Sequence, residues 1–176
     1  RPRPGRSGAA VTCAWSATKR ASRPGRVDAV RDLSGIVKAY DVRGVVPDQL
    51  DEQVARAVGA AFVEVLGGAS AVVVGHDMRP SSPGLVDAFA AGVTSQGADV
   101  VNIGLASTDQ LYFASGRLDL PGAMFTASHN PARYNGIKLC RAGAAPVGQD
   151  TGLAAIRASA EATLGLVRPD NSMTSA

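Results

Sequence analysis

The stretch that decides the fold is Gly122-Ala123-Met124-Phe125-Thr126-Ala127-Ser128-His129-Asn130-Pro131. The apolar run of residues 122–125 indicates a strand. The polar residues that follow indicate a loop, and ligands gather at the carboxyl ends of the strands in open α/β sheets. The stretch therefore predicts a strand over residues 122–127 that presents the Ser128 hydroxyl at the rim of a sheet.

Apolar residues before this stretch recur with helical spacing. Positions 50, 54, 58, 62 and 66 are Leu, Val, Val, Phe and Leu, which predicts a helix with Asp48 as its N-cap and Gly67-Gly68 as its stop. Three further helices are expected, from Ser82-Pro83 to Gly97, from Ser107 or Thr108 to about Ser115, and from Thr151 to about Leu164. Between the helices lie short apolar runs at residues 71–74 and 100–103.

Strands that alternate with helices of this length indicate a mainly parallel sheet covered on both faces. Residues 136–140 also alternate, and we expect them to return as a strand beside 122–127. The predicted fold class is thus α/β, a three-layer α/β/α sandwich with a mixed, mainly parallel sheet.

Charge divides the chain. Residues 1–32 hold eight Lys or Arg and two Asp or Glu, whereas the remainder is mildly acidic, so the body shows no sign of nucleic-acid binding. The basic leader is interpreted as disordered or non-native, with a nucleic-acid or lipid-binding arm or a transit peptide as alternatives. The folded domain is expected over residues 33–157, followed by a linker-like or foreign tail over 158–176.

Cysteine usage and hydropathy bear on the compartment. Cys13 and Cys140 are far apart and form neither a metal-binding spacing nor a disulfide framework, which favours the cytoplasm. No apolar run approaches the length of a membrane span, so no membrane partner is expected.

The loop after residue 127 carries the residues most suited to chemistry. Ser128 offers a hydroxyl, His129 can exchange a proton near neutral pH, and Lys138 can offset negative charge. A phosphate ester on Ser128 would find hydrogen-bond donors here. A merely solvated or capping serine is the plain alternative, and a serine hydrolase is disfavoured because no GxSxG elbow surrounds Ser128.

Three motifs together resemble the α-D-phosphohexomutase superfamily, in its phosphomannomutase/phosphoglucomutase branch. They are the serine loop 126–131 with 134–138, the segment Lys38-Ala39-Tyr40-Asp41-Val42-Arg43-Gly44, and the segment Gly75-His76-Asp77-Met78-Arg79-Pro80-Ser81-Ser82. His76 departs from the family pattern, where arginine is more usual. Ser81, Ser82, Asp41 and Asp77 are interpreted as capping or turn residues rather than as ligands.

The resemblance implies the first domain of a four-domain mutase that interconverts hexose 6-phosphate and hexose 1-phosphate through a phosphoserine and a hexose 1,6-bisphosphate. It makes Ser128 the phosphate carrier and, through that phosphate, a ligand of Mg²⁺. The remaining implied catalytic residues are His129, Lys138 and Arg43, and the implied substrate-binding residues are Tyr40, Asn130 and Arg79.

The other parts of such a mutase have no counterpart in the sequence. The DGDxDR magnesium loop that the resemblance implies does not occur. The favoured hypothesis is therefore a fragment of a mutase acting on mannose or glucose phosphate. The alternative is a complete but non-catalytic product, either a sugar-phosphate-binding module or a gene remnant.

Overall fold

A six-stranded sheet runs through residues 32–165, the part of the chain that the computed structural model describes. Its strands are β1 (Val42–Val45), β2 (Ala71–His76), β3 (Asp99–Leu105), β4 (Gly122–Phe125), β5 (Tyr134–Arg141) and β6 (Ala145–Pro146). The helices are α1 (Glu52–Val65), α2 (Ser82–Ser95), α3 (Thr108–Leu118) and α4 (Leu153–Thr163). The strand order is β1-β5-β4-β2-β3, and β6 pairs with β5.

The sheet is mixed. Strand β2 pairs in parallel with β3 and β4, whereas β5 pairs antiparallel with β1, β4 and β6. The loop between β4 and β5 is too short for a parallel crossover, which needs a dozen or more residues. The predicted return of residues 136–140 beside β4 is confirmed. Parallel pairing is confined to β4, β2 and β3, a smaller share of the sheet than the sequence indicates.

Alternate residues of the central strands enter two different cores. Val72 and Val74 pack into the larger core with α1, α2 and α4, whereas Val73 packs with Leu111 of α3 and with Met124. Successive side chains of a strand point to opposite faces of a sheet. Helices therefore cover both faces, and the predicted three-layer α/β/α sandwich is confirmed.

Helix α1 begins later than predicted. Its N-cap is Asp51, whose side chain accepts a hydrogen bond from the Val54 amide at 2.9 Å, and not Asp48. The backbone amides of Gln49 and Leu50 both donate to the Val45 carbonyl, which closes a turn before the helix. That turn buries Leu50 ahead of the helix, so periodicity placed the helix start too early.

The second and third helices start where the sequence indicates. Ser82 and Pro83 open α2, and Ser107 caps α3 in a capping box with Gln110. Helix α3 runs on to Leu118, past the predicted end near Ser115.

The last helix carries the fold past the predicted domain boundary. Helix α4 continues to Thr163, and Ala160 within it is fully buried in the large core that α1 also lines. A boundary at residue 157 therefore falls inside α4. The leader, except residue 32, and the tail beyond residue 165 lie outside the described residues. Within residues 32–165 no helix combines the length and apolar character needed to cross a membrane.

Candidate functional site

The loop that joins β4 to β5 presents Ser128 to solvent. Ser128 is exposed and has φ 55°, a left-handed backbone conformation that is uncommon for residues other than glycine. Its amide donates to Thr126 Oγ1 at 3.0 Å, and its Oγ lies 3.4 Å from Nδ1 of His129. The structure thus places the hydroxyl at the rim of the sheet, where the sequence predicts it.

A single guanidinium holds the backbone of this loop. The acceptors of Arg79 Nη1 and Nη2 are four carbonyl oxygens at 2.8–2.9 Å, those of Ser128, Asn130, Pro131 and Tyr134. Its Nε donates to Asp77 Oδ2 at 3.1 Å. These contacts occupy all five N–H groups of Arg79, which leaves none for the substrate-binding role that the family resemblance implies.

Asp77 anchors Arg79 at the end of β2. Its Oδ1 accepts the Arg79 amide at 3.0 Å and the Ser82 hydroxyl at 2.9 Å. Burial alone would raise the pKa of Asp77, but hydrogen bonds from Arg79, Thr126 and Ser82 and the charge of Arg79 together lower it below its usual value. The carboxylate is therefore ionised at neutral pH and matches the cation beside it.

Two further cations meet on one face of the sheet. Arg43 of β1 lies opposite Gly136 of β5, two residues from Lys138, so both long side chains project from the same face. The nearly buried Asp41 carboxylate joins them, with its Oδ2 2.5 Å from Arg43 Nη2 and 3.4 Å from Lys138 Nζ. Strand β5 lies between β1 and β4, so Lys138 projects from an interior strand of the sheet.

The cation pair reaches the serine loop through an amide. Arg43 Nη1 donates to Asn130 Oδ1 at 3.3 Å, and Asn130 lies two residues after Ser128. The structure thus brings Arg43, Lys138 and Asn130 into one hydrogen-bonded group, linked by Asp41. Tyr40 is 74% exposed, and its ring lies against Gly148.

Sequence reasoning missed Asn135, which connects the loop to α2. Asn135 is fully buried, and its Nδ2 donates to the hydroxyls of Ser81 at 2.9 Å and Ser82 at 3.0 Å. A polar residue inside a buried strand needs hydrogen-bond partners. The signal was the Asn135-Gly136 pair directly before the alternating residues 137–140.

Gly136 itself has no room for a side chain. A Cβ at this position would lie 2.5 Å from the Val42 carbonyl oxygen and 2.9 Å from that of Thr126. We therefore expect Gly136→Ala to destabilise the fold by about 1–3 kcal/mol through overpacking. Urea unfolding measures the change, and Gly35→Ala is the control because a Cβ there meets nothing within 4 Å. Equal stabilities for the two variants would contradict the close approach.

A magnesium site needs more ligands than this loop supplies. Among residues 32–165, no group of three or more His, Cys, Asp or Glu side chains is arranged to hold a metal ion. Ser128 would contribute one oxygen through a phosphate. These residues do not form a magnesium site by themselves.

One known protein family matches most of this chain. The family described as phosphoglucomutase/phosphomannomutase, alpha/beta/alpha domain I, matches residues 34–164. The chain belongs to this family. The match begins just before β1 and ends just after α4, so it covers the sheet, all four helices and the serine loop.

Curated members of the phosphoglucomutase/phosphomannomutase family show substantial identity. A protein of Xanthomonas campestris named "Phosphohexose mutases" is 50% identical over 121 residues, which cover 68% of this chain and 27% of that protein. A phosphomannomutase of Klebsiella pneumoniae is 45% identical over 125 residues, covering 70% of this chain and 79% of that sequence. The chain thus spans about a quarter of the Xanthomonas relative.

Solved structures of the family share the fold. A phosphoglucomutase/phosphomannomutase family protein of Burkholderia thailandensis is 37% identical, with a TM-score of 0.65 over 73% of this chain and 30% of that one. A second structure, of a protein from Thermus thermophilus, is 32% identical with the same TM-score, over 70% of this chain and 29% of its own.

Proposed function

We propose that this chain is the serine-bearing domain of a mutase that interconverts hexose 6-phosphate and hexose 1-phosphate. The observation that carries the proposal is the position of Ser128. Its hydroxyl is exposed at the carboxyl end of β4, in a loop that Arg79 fixes and whose Asn130 accepts a hydrogen bond from Arg43 of β1. Family membership supports the reaction class, because the relatives' names are phosphomannomutase and phosphohexose mutase.

In the proposed reaction one phosphoryl group moves from Ser128 to the sugar, and another moves from the sugar back to Ser128. Phosphorylated Ser128 gives its phosphoryl group to a free hydroxyl of a hexose monophosphate, which breaks the Oγ–P bond and forms a hexose 1,6-bisphosphate. The bisphosphate reorients, and Ser128 Oγ accepts its other phosphoryl group. The enzyme returns to its starting state, and the phosphate has changed position on the sugar.

Protons must move in the opposite sense. The attacking sugar hydroxyl loses a proton and the departing serine oxygen gains one, and we assign this exchange to His129 and Lys138. His129 is the nearer to the nucleophile, with 3.4 Å between its Nδ1 and the Ser128 Oγ. Imidazole is suited to the task because its ordinary pKa lies near neutrality.

Cations allow the two phosphates to approach each other. A phosphoserine and a sugar phosphate repel, and phosphoryl transfer depends chiefly on positioning and on charge stabilisation. Arg43 and Lys138 share the Asp41 carboxylate in the structure. We propose that these two cations offset part of the negative charge of the two phosphates. Asn130 and the exposed Tyr40 are the proposed contacts to the sugar.

Mannose phosphate and glucose phosphate are the proposed substrates, with the hexose 1,6-bisphosphate as activator, Mg²⁺ as cofactor and the cytoplasm as compartment. The steps above use only residues of this chain. The other mutase domains are proposed to complete the metal and sugar sites, so the 176-residue chain alone is expected to show negligible turnover. A coupled assay with mannose 1-phosphate and a bisphosphate activator measures it, and robust Ser128-dependent turnover would contradict this expectation.

Labelling tests the proposed carrier directly. The chain, joined to the other mutase domains that are proposed to complete the site, is incubated with ³²P-labelled glucose 1,6-bisphosphate and Mg²⁺, and the labelled peptide is identified by mass spectrometry. We expect acid-stable phosphoserine at position 128. Label at another residue would overturn the assignment. Absence of label would favour the second candidate, a non-catalytic sugar-phosphate-binding module or gene remnant.

A further inference from the structure

We infer that Arg79 and Asp77 are positioning residues that fix the serine loop in its reactive conformation, and that Arg79 does not bind substrate. The inference rests on the proposed function for what the loop does, but its geometry is independent of that function. Both side chains are largely buried, with 10% of Arg79 and 15% of Asp77 exposed. The hydrogen bonds of Arg79 and Asp77 do not include the Ser128 Oγ.

The hydrogen bonds of the Arg79 guanidinium indicate that this side chain does not bind substrate. A guanidinium has five N–H groups, and here each one has a protein acceptor between 2.8 and 3.1 Å. A substrate phosphate would have to displace loop carbonyls to bind this side chain. That exchange would release the loop at the moment when the reaction needs it ordered.

The loop requires a cation at this place. Four carbonyl oxygens of residues 128, 130, 131 and 134 converge on the guanidinium, and their partial negative charges repel one another without it. Ser128 in addition has the left-handed φ of 55°, a strained conformation for a residue other than glycine that persists only where the surroundings enforce it. Arg79 supplies that enforcement from outside the loop.

Asp77 fixes Arg79 to the start of α2. Its carboxylate accepts hydrogen bonds from Arg79 Nε at 3.1 Å and from the Ser82 hydroxyl at 2.9 Å. Arg79 thus holds the carbonyl of Ser128, while Thr126 Oγ1 accepts the Ser128 amide at 3.0 Å. Lysine cannot replace Arg79, because its ammonium is a point donor with three N–H groups and lacks the planar fork.

The first test measures loop order without any substrate. In Arg79→Lys we expect amide hydrogen exchange of residues 126–135 to accelerate by about tenfold or more, since charged hydrogen bonds are lost, while amides of β2 keep their rates. Asp77→Asn should behave in the same way. Arg133→Lys is the control, because Arg133 is an exposed arginine of the same loop whose guanidinium carbon lies 5.4 Å from the Tyr134 ring centroid.

Loop amides that exchange in Arg79→Lys at the wild-type rate would overturn the inference. So would equal acceleration in the loop and in β2, because that result indicates a general loss of stability. The Asp77→Asn variant keeps the side-chain shape and preserves the test if Arg79→Lys fails to fold.

The second test separates positioning from substrate binding. With the other mutase domains present, the rate of Ser128 labelling is measured against the concentration of glucose 1,6-bisphosphate. A positioning role predicts a maximal rate lowered by about tenfold or more in Arg79→Lys, with the half-saturating concentration unchanged; a substrate ligand would raise that concentration instead. If wild-type chain orders the loop but takes no label, the proposed function fails and the positioning role stands.

Discussion

Replacing Ser128 with alanine is expected to lower phosphate incorporation from labelled glucose 1,6-bisphosphate to less than about one-hundredth of the wild-type level, because loss of a nucleophile removes the covalent step altogether. Folding should be almost unaffected. The side chain is exposed, and the hydrogen bond its Oγ makes is a long one, 3.4 Å to His129. Scintillation counting of the purified protein, with the other mutase domains present, measures the label, and a thermal melt measures the fold.

The matched control is Ser159→Ala. Ser159 is a half-buried serine on α4 whose Oγ donates to Glu64 of α1, away from the serine loop. We expect this variant to incorporate phosphate at the wild-type level. Equal label in Ser128→Ala and Ser159→Ala would show that another residue carries the phosphate and would end the proposed function.

The α/β class and most element positions could be predicted from hydrophobic periodicity and capping residues. The sequence left Ser107 or Thr108 as the cap of α3, and the structure identifies Ser107, in a capping box with Gln110 three residues later. The start of α1 could not be found in this way. Leu50 fits the helical stripe, yet it is buried from a turn that depends on hydrogen bonds to the Val45 carbonyl.

Some residues of the candidate site could likewise be predicted from local sequence, whereas others depend on contacts between distant segments. Ser128, His129 and Lys138 stood out because their side chains suit phosphoryl chemistry and lie close together in the sequence. The direction in which Arg79 points could not be predicted, because its acceptors are main-chain carbonyls about fifty residues away. The bridging role of Asp41 was hidden for the same reason, since Lys138 is 97 residues distant.

The placement of the two cations and the conformation of the serine loop have different structural origins. The sheet brings Arg43 and Lys138 to one face through strand register, which is a property of the whole fold. The loop conformation depends instead on one guanidinium and one carboxylate at the end of β2. A change in register would move both cations at once, whereas a change at Arg79 is expected to loosen the loop and leave the sheet intact.

The largest loss of stability is expected for Gly92→Ala, at the crossing of α1 and α2. A Cβ on Gly92 would lie 2.1 Å from the carbonyl oxygen of Arg56 and 2.9 Å from the amide nitrogen of Ala60. Gly59 makes the reciprocal contact, where a Cβ would lie 2.3 Å from the Phe89 carbonyl oxygen. The obstructing atoms belong to the backbone, so no side-chain rotation relieves the clash and the helices must separate.

We expect that separation to cost about 3 kcal/mol or more, the upper range for overpacking, out of a total stability of roughly 5–15 kcal/mol for a domain. Urea unfolding followed by circular dichroism measures this loss of stability.

Gly116→Ala is the control, since Gly116 is an exposed helical glycine in α3 where a Cβ meets nothing within 4 Å. That variant should gain roughly 0.5–1 kcal/mol from helix propensity. If Gly92→Ala were also stabilising, the two helices could not cross as closely as described. Because α2 begins at Ser82, whose hydroxyl contacts Asp77 and Asn135, a displaced α2 should also accelerate amide exchange in the serine loop.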